Sequence, residues 1–296
     1  MNRVNQNNLI SQIRKYIRIQ LDLAVKGYDY FAVRQKGCVF VLLFNLKSKL
    51  FGSRTCIQYI GLGKYVAKDA QTSVFFHHEK QAFLMYAGGI NARGLHGRAS
   101  EIAKSYLITK INFLPGDTIV DCGSNIGDLK LYFDLIIKKK INYIAIEPSQ
   151  LEYECLIQNT LPYKAFNVGL WNKDGIESFY LSSDFGDSSF IPPATPYTQI
   201  IKTETKRLDS ILDENIKLLK IEAEGAELEV VQGAINILAK IEWIAADLGY
   251  ERGVDSESTF APVTNYLLAN EFELVEVNHD RCVALYRNTR YIQTHK

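Results

Sequence analysis

Two short stretches of the chain hold residue types at spacings that can do chemistry. The first is Asp121-Cys-Gly-Ser-Asn-Ile-Gly127. Gly123 and Gly127 mark a turn whose backbone can come close to a ligand. After it, Leu129, Leu131, Tyr132, Leu135 and Ile136 recur at helical spacing. Such a turn opens on a helix N-terminus, with a partly positive mouth. About 20 residues further on, Glu147 ends a second apolar run, where an acid can bind the two hydroxyls of a ribose. A nucleoside-containing cofactor is therefore expected. A dinucleotide site calls for Gly-x-Gly-x-x-Gly, yet Asn125 stands in the place of the middle glycine. Asp121 would repel a pyrophosphate but suits an amino group or a sulfonium. These features favour S-adenosylmethionine over NAD, held by Asp121, Gly123, Ser124, Asn125, Gly127 and Glu147.

The second stretch is Lys220-Ile-Glu-Ala-Glu-Gly-Ala-Glu227. It follows an apolar strand and precedes a helix. In an open parallel sheet, ligands sit beyond the carboxyl ends of the strands near the switch point. Glu222 and Glu224 would then lie beside the cofactor, on one face if the strand runs that far. Glu227 falls in the first helical turn, where its charge suits the dipole. Glu222, Glu224 and the strand-end Asp247 are the candidate general bases for an acceptor hydroxyl.

The elements that must position these residues read as alternating strands and helices from Pro115 onward, which signals a doubly wound parallel sheet. Strands are expected at 118–122, 142–147, 165–170, 217–224 and 241–247, with a further extended run at 176–181. Helices are expected at 128–138, 226–237 and 260–269, and one more after Ser149, with Glu152 completing a capping box. Residues 271–277 and 281–287 read as a closing antiparallel hairpin. Residues 182–196, rich in Ser, Asp and Pro, read as a long loop over the active side. Residues 1–98 break the alternation. Leu9, Ile13, Tyr16, Ile17, Leu21 and Ala24 share a helical face, with Arg14, Lys15 and Arg18 elsewhere. That helix suits either packing on the main domain or resting on a membrane surface or partner. The runs 38–44, 55–60, 73–79 and 82–86 read as strands. The glycine- and arginine-containing segment 86–101 reads as an irregular loop before a helix at 100–111. Arg93, His96 and Arg98 in it are candidate substrate ligands or solvated cations.

Length and composition bound the rest. The 296 residues suit one large domain or a domain with an extension, and the formal net charge of +1 gives no electrostatic pointer to nucleic acid. No basic stripe with interleaved aromatics is present either. Five scattered cysteines form no CxxC pair, which favours a reduced, cytoplasmic protein without structural zinc. His77-His78 lacks partners at metal-ligand spacing. No signal-peptide core opens the chain, and the apolar run 38–44 is far short of the ~20 residues of a membrane span.

With both stretches in view, the chain resembles the FkbM family of S-adenosylmethionine-dependent methyltransferases. The resemblance rests on residues 115–127, Ile146-Glu-Pro148, Asn167-Val-Gly-Leu-Trp-Asn-Lys-Asp-Gly175 and residues 220–234, and covers about residues 84–288. It implies a Rossmann-like class I methyltransferase fold, a seven-stranded, mostly parallel sheet with a terminal antiparallel hairpin, at residues 99–296. Residues 1–98 form a small α+β extension. The family usually has Asp where this chain has Glu222, and a Glu is common where it has Asp247. The resemblance implies O-methylation of a sugar or glycan hydroxyl, or of a polyketide or natural-product hydroxyl; the composition points away from nucleic acid, and general-base action is preferred to a Mg²⁺ held by the carboxylates, for which no further ligand set is evident. A non-catalytic scaffold of a glycan-synthesis complex is the reading from another class. On the methyltransferase reading, residues around Gly169 hold the adenine edge. The expected setting is cytoplasmic, with association to the inner membrane face or to a complex left open.

Overall fold

The computed structural model describes residues 3–70, 72–77, 90–182 and 187–291. The β-branched and apolar runs pair as strands, and their two-residue alternation splits the interior into two layers. Ile119, Tyr143, Leu218 and Ala245 face one core, while Val120, Ile144, Leu219 and Ile244 face the other. The strands are β4 (Thr118–Cys122), β5 (Asn142–Ile146), β6 (Lys164–Phe166), β10 (Ile216–Ile221), β11 (Ile241–Asp247), β12 (Phe272–Asn278) and β13 (Val283–Asn288). They form one sheet in the order β12-β13-β11-β10-β4-β5-β6, in which β13 pairs antiparallel with both neighbours. The chain lays down β4, β5 and β6 in one direction, then crosses to β10 on the other side of β4. That is the switch point, and the register there sets Asp121 opposite Lys220.

Helices cover both faces: the short α4 (Lys130–Tyr132), α5 (Gln150–Thr160), α6 (Leu208–Ile211), α7 (Glu227–Gln232) and α8 (Phe260–Ala269). The helix expected at 128–138 is one α-turn continued by a π-turn, Phe133–Ile137, closed where Lys138 N–H donates to Phe133 O at 2.8 Å. The helix expected at 226–237 stops at Gln232. The single strand expected at 165–170 is divided. Lys164–Phe166 joins the main sheet, whereas β7 (Gly169–Leu170) joins β8 (Gly175–Ser182) and β9 (Tyr197–Lys206) in a second sheet ordered β7-β9-β8.

The N-terminal region departs most from the reading of its sequence. Residues 38–44 lie not in a strand but in α2 (Gly37–Leu50), which follows α1 (Arg3–Ala32). Phe40, Phe44 and Lys47 fall at helical spacing on its buried face, and that periodicity overrides the local β preference. Strands β1 (Cys56–Gly61), β2 (Lys64–Lys68) and β3 (Ser73–His77) form an antiparallel sheet. Asn159 on α5 docks it by accepting from Phe75 N–H (2.7 Å) and donating to Phe75 O (2.9 Å). The strand expected at 82–86 lies outside the described residues. In place of the expected loop, α3 (Ile90–Ser105) is helical on both sides of a kink at Gly94, whose φ of 72° suits glycine. The helix expected at 100–111 ends at Ser105, and a 3₁₀ turn follows at Ile108–Lys110.

Candidate functional site

A cavity of about 360 Å³ opens beyond the carboxyl ends of β4, β5 and β10. Its other walls are α3, through Arg98, Ile102 and Tyr106, and the tip of the β8–β9 hairpin, through Asp187, Ser188 and Phe190. The loop expected over the active side thus reaches the cavity with its described residues. Val168, Leu170, Phe179 and Phe190 make one wall apolar. Gly169 has a steric reason to be glycine, since a Cβ there would lie 2.1 Å from the Phe190 ring.

Alternating charges cross the cavity floor. Lys220 Nζ lies 3.1 Å from Asp121 Oδ1 and 3.2 Å from Glu222 Oε2, and it donates to Gly123 O at 2.8 Å. Arg281 Nη2 donates to Glu222 Oε1 at 3.0 Å and to Asp247 Oδ2 at 2.5 Å. Tyr106 presents its ring to both cations, with centroid distances of 5.2 and 5.4 Å. Burial alone would raise the Glu222 pKa, but Lys220 and Arg281 outweigh it and hold the carboxyl down at about 2. Burial disfavours charge on Lys220 too, yet Asp121 and Glu222 keep its ammonium protonated to higher pH than an ordinary lysine. Asp121 is pushed up by burial, against Lys220 and the donated Tyr143 hydroxyl.

Glu224 sits differently. Its φ of 49° is left-handed, a conformation that costs a non-glycine residue about 1–3 kcal/mol. The strain is held from several sides. Ser189 Oγ donates to Glu224 O at 2.7 Å. Glu227 Oε1 accepts from Ala223 N–H and Gly225 N–H, and its Oε2 accepts from Thr259 Oγ1. Glu227 is therefore buried in tying down the turn. Arg252 closes the outside by donating to Gly225 O at 2.6 Å while pairing with Glu229. Glu224 lines the cavity, and its carboxyl forms no ion pair or side-chain hydrogen bond among the described residues. Burial, then Glu251 and Glu222, push its pKa well above the ordinary carboxylate range.

On the far side, Glu147 Oε2 accepts from Asn125 N–H at 2.8 Å and Oε1 from Ser149 N–H at 2.9 Å. Burial and nearby Glu152 push its pKa up to about 8, against those two amides. Ser124 Oγ is buried in the wall with no hydrogen-bond partner among the described residues, a polar atom that a bound molecule would satisfy.

Nine of the residues expected from sequence line this cavity: Arg98, Asp121, Gly123, Ser124, Asn125, Glu147, Gly169, Glu222 and Glu224. Four do not. Gly127 faces away, and a Cβ there would meet Leu156 and Thr160 of α5 at 2.7 and 2.9 Å. Asp247 lies behind Arg281. Arg93 pairs with Glu101 on the outer surface, and His96 is exposed outside the cavity. Arg98 is held by Asp128, with Nε 2.8 Å from Oδ2. Sequence reasoning missed Lys220, Arg281 and Tyr106 as site residues. A lysine inside Leu218-Leu-Lys-Ile221 was a readable signal, because a buried strand does not hold an ammonium without partners. Arg281 arrives from a distant hairpin and had no local signal. His77 is buried, His78 lies outside the described residues, and no group of three or more His, Cys, Asp or Glu among the described residues is placed to hold a metal ion.

The chain is similar to several known proteins. The family described as Methyltransferase FkbM domain matches residues 121–274. Hexuronic acid methyltransferase AglP of Haloferax volcanii is 26% identical over 184 residues, covering 58% of this chain and 72% of that protein. Methyltransferase FkbM from Methylobacillus flagellatus KT superposes with a TM-score of 0.44 at 17% identity, over 83% of this chain and 59% of that one. The N-terminal domain of human METTL16, solved in complex with SAH, gives a TM-score of 0.36 at 12% identity, over 67% and 70%. The match spans the first carboxylate–glycine stretch, the Lys220 stretch and the start of the closing hairpin. The chain belongs to the FkbM methyltransferase domain family, and it is a methyltransferase that uses S-adenosylmethionine.

Proposed function

We propose that this protein transfers a methyl group to a hydroxyl of a sugar or glycan acceptor, with Glu224 taking the hydroxyl proton. The observation that carries the reading is the contrast among three carboxylates. Glu222 and Asp247 are held by cations, whereas Glu224 faces the cavity without one. A carboxyl with its pKa raised above the ordinary carboxylate range is a better proton acceptor than one held at about 2.

The cavity suits the cofactor. Glu147 retains lone pairs for ribose hydroxyls, the apolar wall around Gly169 and Phe190 suits a purine, and the unpartnered Ser124 Oγ awaits a polar atom. Asp121 and the Gly123 backbone would hold the methionine end. When bound, S-adenosylmethionine supplies a methyl carbon made electrophilic by its sulfonium. The protein's part is alignment, worth up to about 7–11 kcal/mol of barrier, and base assistance of about 10²–10⁴-fold. Lys220 and Arg281 fix Glu222 as a rigid charged wall, and the Arg98–Asp128 pair presents a polar edge to the acceptor.

The hexuronic acid specificity named for the Haloferax volcanii relative supports a sugar acceptor. Five free cysteines support a reducing, cytoplasmic setting. Incubation with isotopically labelled S-adenosylmethionine and a panel of sugars, followed by mass spectrometry, tests the reading. A labelled methyl ether on a sugar hydroxyl is expected. Transfer to an amine, a polyketide hydroxyl or nucleic acid, with none to sugars, would refute it.

A further inference from the structure

The first 62 residues carry a surface that methyl transfer does not use. Residues 1–54 contain ten Lys and Arg against Asp22 and Asp29, in a chain whose total charge is only +1. The remainder is therefore acidic, and the molecule is electrically two-sided. The first 62 residues hold about half of the exposed large apolar side chains among the described residues.

These apolar residues are ordered. On α2, Val39, Leu42, Leu46 and Leu50 fall at successive three- and four-residue steps and are 50%, 66%, 46% and 75% exposed. Phe40, Phe44 and Lys47, on the opposite side, are buried. Phe51 extends the outer stripe, and Leu62 on the β1–β2 turn, 91% exposed, shares a cleft with Lys36 and Gly37 at the start of α2. On α1, Tyr16, Leu23 and Tyr30 recur every seven residues and are all exposed. Lys15, Lys26 and Lys49 are exposed on the same two helices. At 30 residues α1 is long, roughly 45 Å, yet no helix is long and apolar enough to cross a membrane among the described residues.

We propose that α1 and the outer face of α2 rest on a lipid bilayer surface rich in anionic headgroups. An exposed apolar stripe flanked by lysines and arginines is what such a surface takes up, the stripe entering the headgroup boundary and the cations meeting the negative charge. A second copy of the chain fits the charge poorly, because a two-fold contact would set this +8 region against itself. α2 packs against α3, which carries Arg98 and leads into Tyr106 at the cavity, so the docked helix touches a wall of the site.

Flotation of the full chain with vesicles tests this. The vesicles are phosphatidylcholine alone or with phosphatidylglycerol as the anionic component. Binding is expected to the anionic vesicles only and to fall with added salt. A Leu42→Asp/Leu46→Asp variant and an Arg14→Glu/Lys15→Glu/Arg18→Glu variant should each bind about tenfold more weakly or worse. Both should keep the wild-type melting temperature and affinity for S-adenosylhomocysteine. Equal flotation with both vesicle types, wild-type flotation of both folded variants, or no flotation at all would overturn the proposal. So would a wild-type dimer that the Leu42→Asp/Leu46→Asp change splits without any vesicle binding, since the face would then belong to a second copy.

Discussion

Glu222 and Glu224 are two positions apart and serve different ends. Glu222 completes a line of five alternating charges from Asp121 to Asp247, and Glu224 stands clear of it in a strained turn. Replacing Glu224 by Gln should lower kcat by about 10²–10⁴-fold. The wild-type kcat/KM should rise with pH as Glu224 loses its proton, at a midpoint above the ordinary carboxylate range, and the variant should lack that rise. Glu222→Gln should keep it, because the Glu222 carboxyl has already ionised far below that range. At Lys220, change to Met would leave Asp121 and Glu222 without their shared cation in a buried site, at a cost of roughly 3–5 kcal/mol. Urea unfolding measures this, and an unchanged midpoint would contradict the pairing. The acids were legible in the sequence because they cluster between an apolar strand and a helix. Their division of labour was not, because it depends on Arg281, which is brought in by tertiary structure.

At the scale of elements, the two glycines of the first turn have separate tasks. A Cβ on Gly123 would lie 1.8 Å from Glu222 O, a backbone atom with no room to yield. On Gly127 it would press on Leu156 and Thr160 side chains, which can shift. Both have positive φ, 67° and 81°. Gly127→Ala should therefore cost roughly 1–3 kcal/mol of stability with the affinity for S-adenosylhomocysteine retained. Gly123→Ala should lose both, and thermal melts paired with calorimetry separate the outcomes. The parallel strands were readable because burial on both faces makes them continuous apolar runs. Strand β9 was not read, because Tyr-Thr-Gln-Ile-Ile-Lys-Thr-Glu-Thr-Lys has one largely exposed face and little apolar alternation. Residues 38–44 misled for the opposite reason. Val, Phe and Leu in a row favour a strand over seven residues, and only the fourteen-residue window ending at Leu50 shows the helical period.

Taken as a whole, the molecule buries carboxyls around its cavity and bears the consequence in its pH dependence. Glu147 is pushed up to about 8, chiefly by burial, and Glu224 is raised as well. An acid whose folded pKa exceeds its unfolded value contributes stability in full below the unfolded pKa, and that contribution is lost as pH rises through the folded value. The cofactor-free protein should therefore melt at progressively lower temperature from about pH 5 to about pH 8, with a shallower slope in Glu147→Gln. Glu222 acts in the other direction, but its contribution is lost only as pH falls toward about 2, outside that window. The central claim is that the cavity beyond β4, β5 and β10 is the S-adenosylmethionine site. Calorimetric titration of S-adenosylhomocysteine into wild-type, Glu147→Ala and Glu224→Gln protein tests it most directly. One site per chain is predicted for the wild type, with affinity weakened about tenfold or more by the loss of Glu147 and unchanged by the loss of Glu224's charge. No heat of binding in the wild type, or wild-type affinity in a folded Glu147→Ala protein, would contradict it.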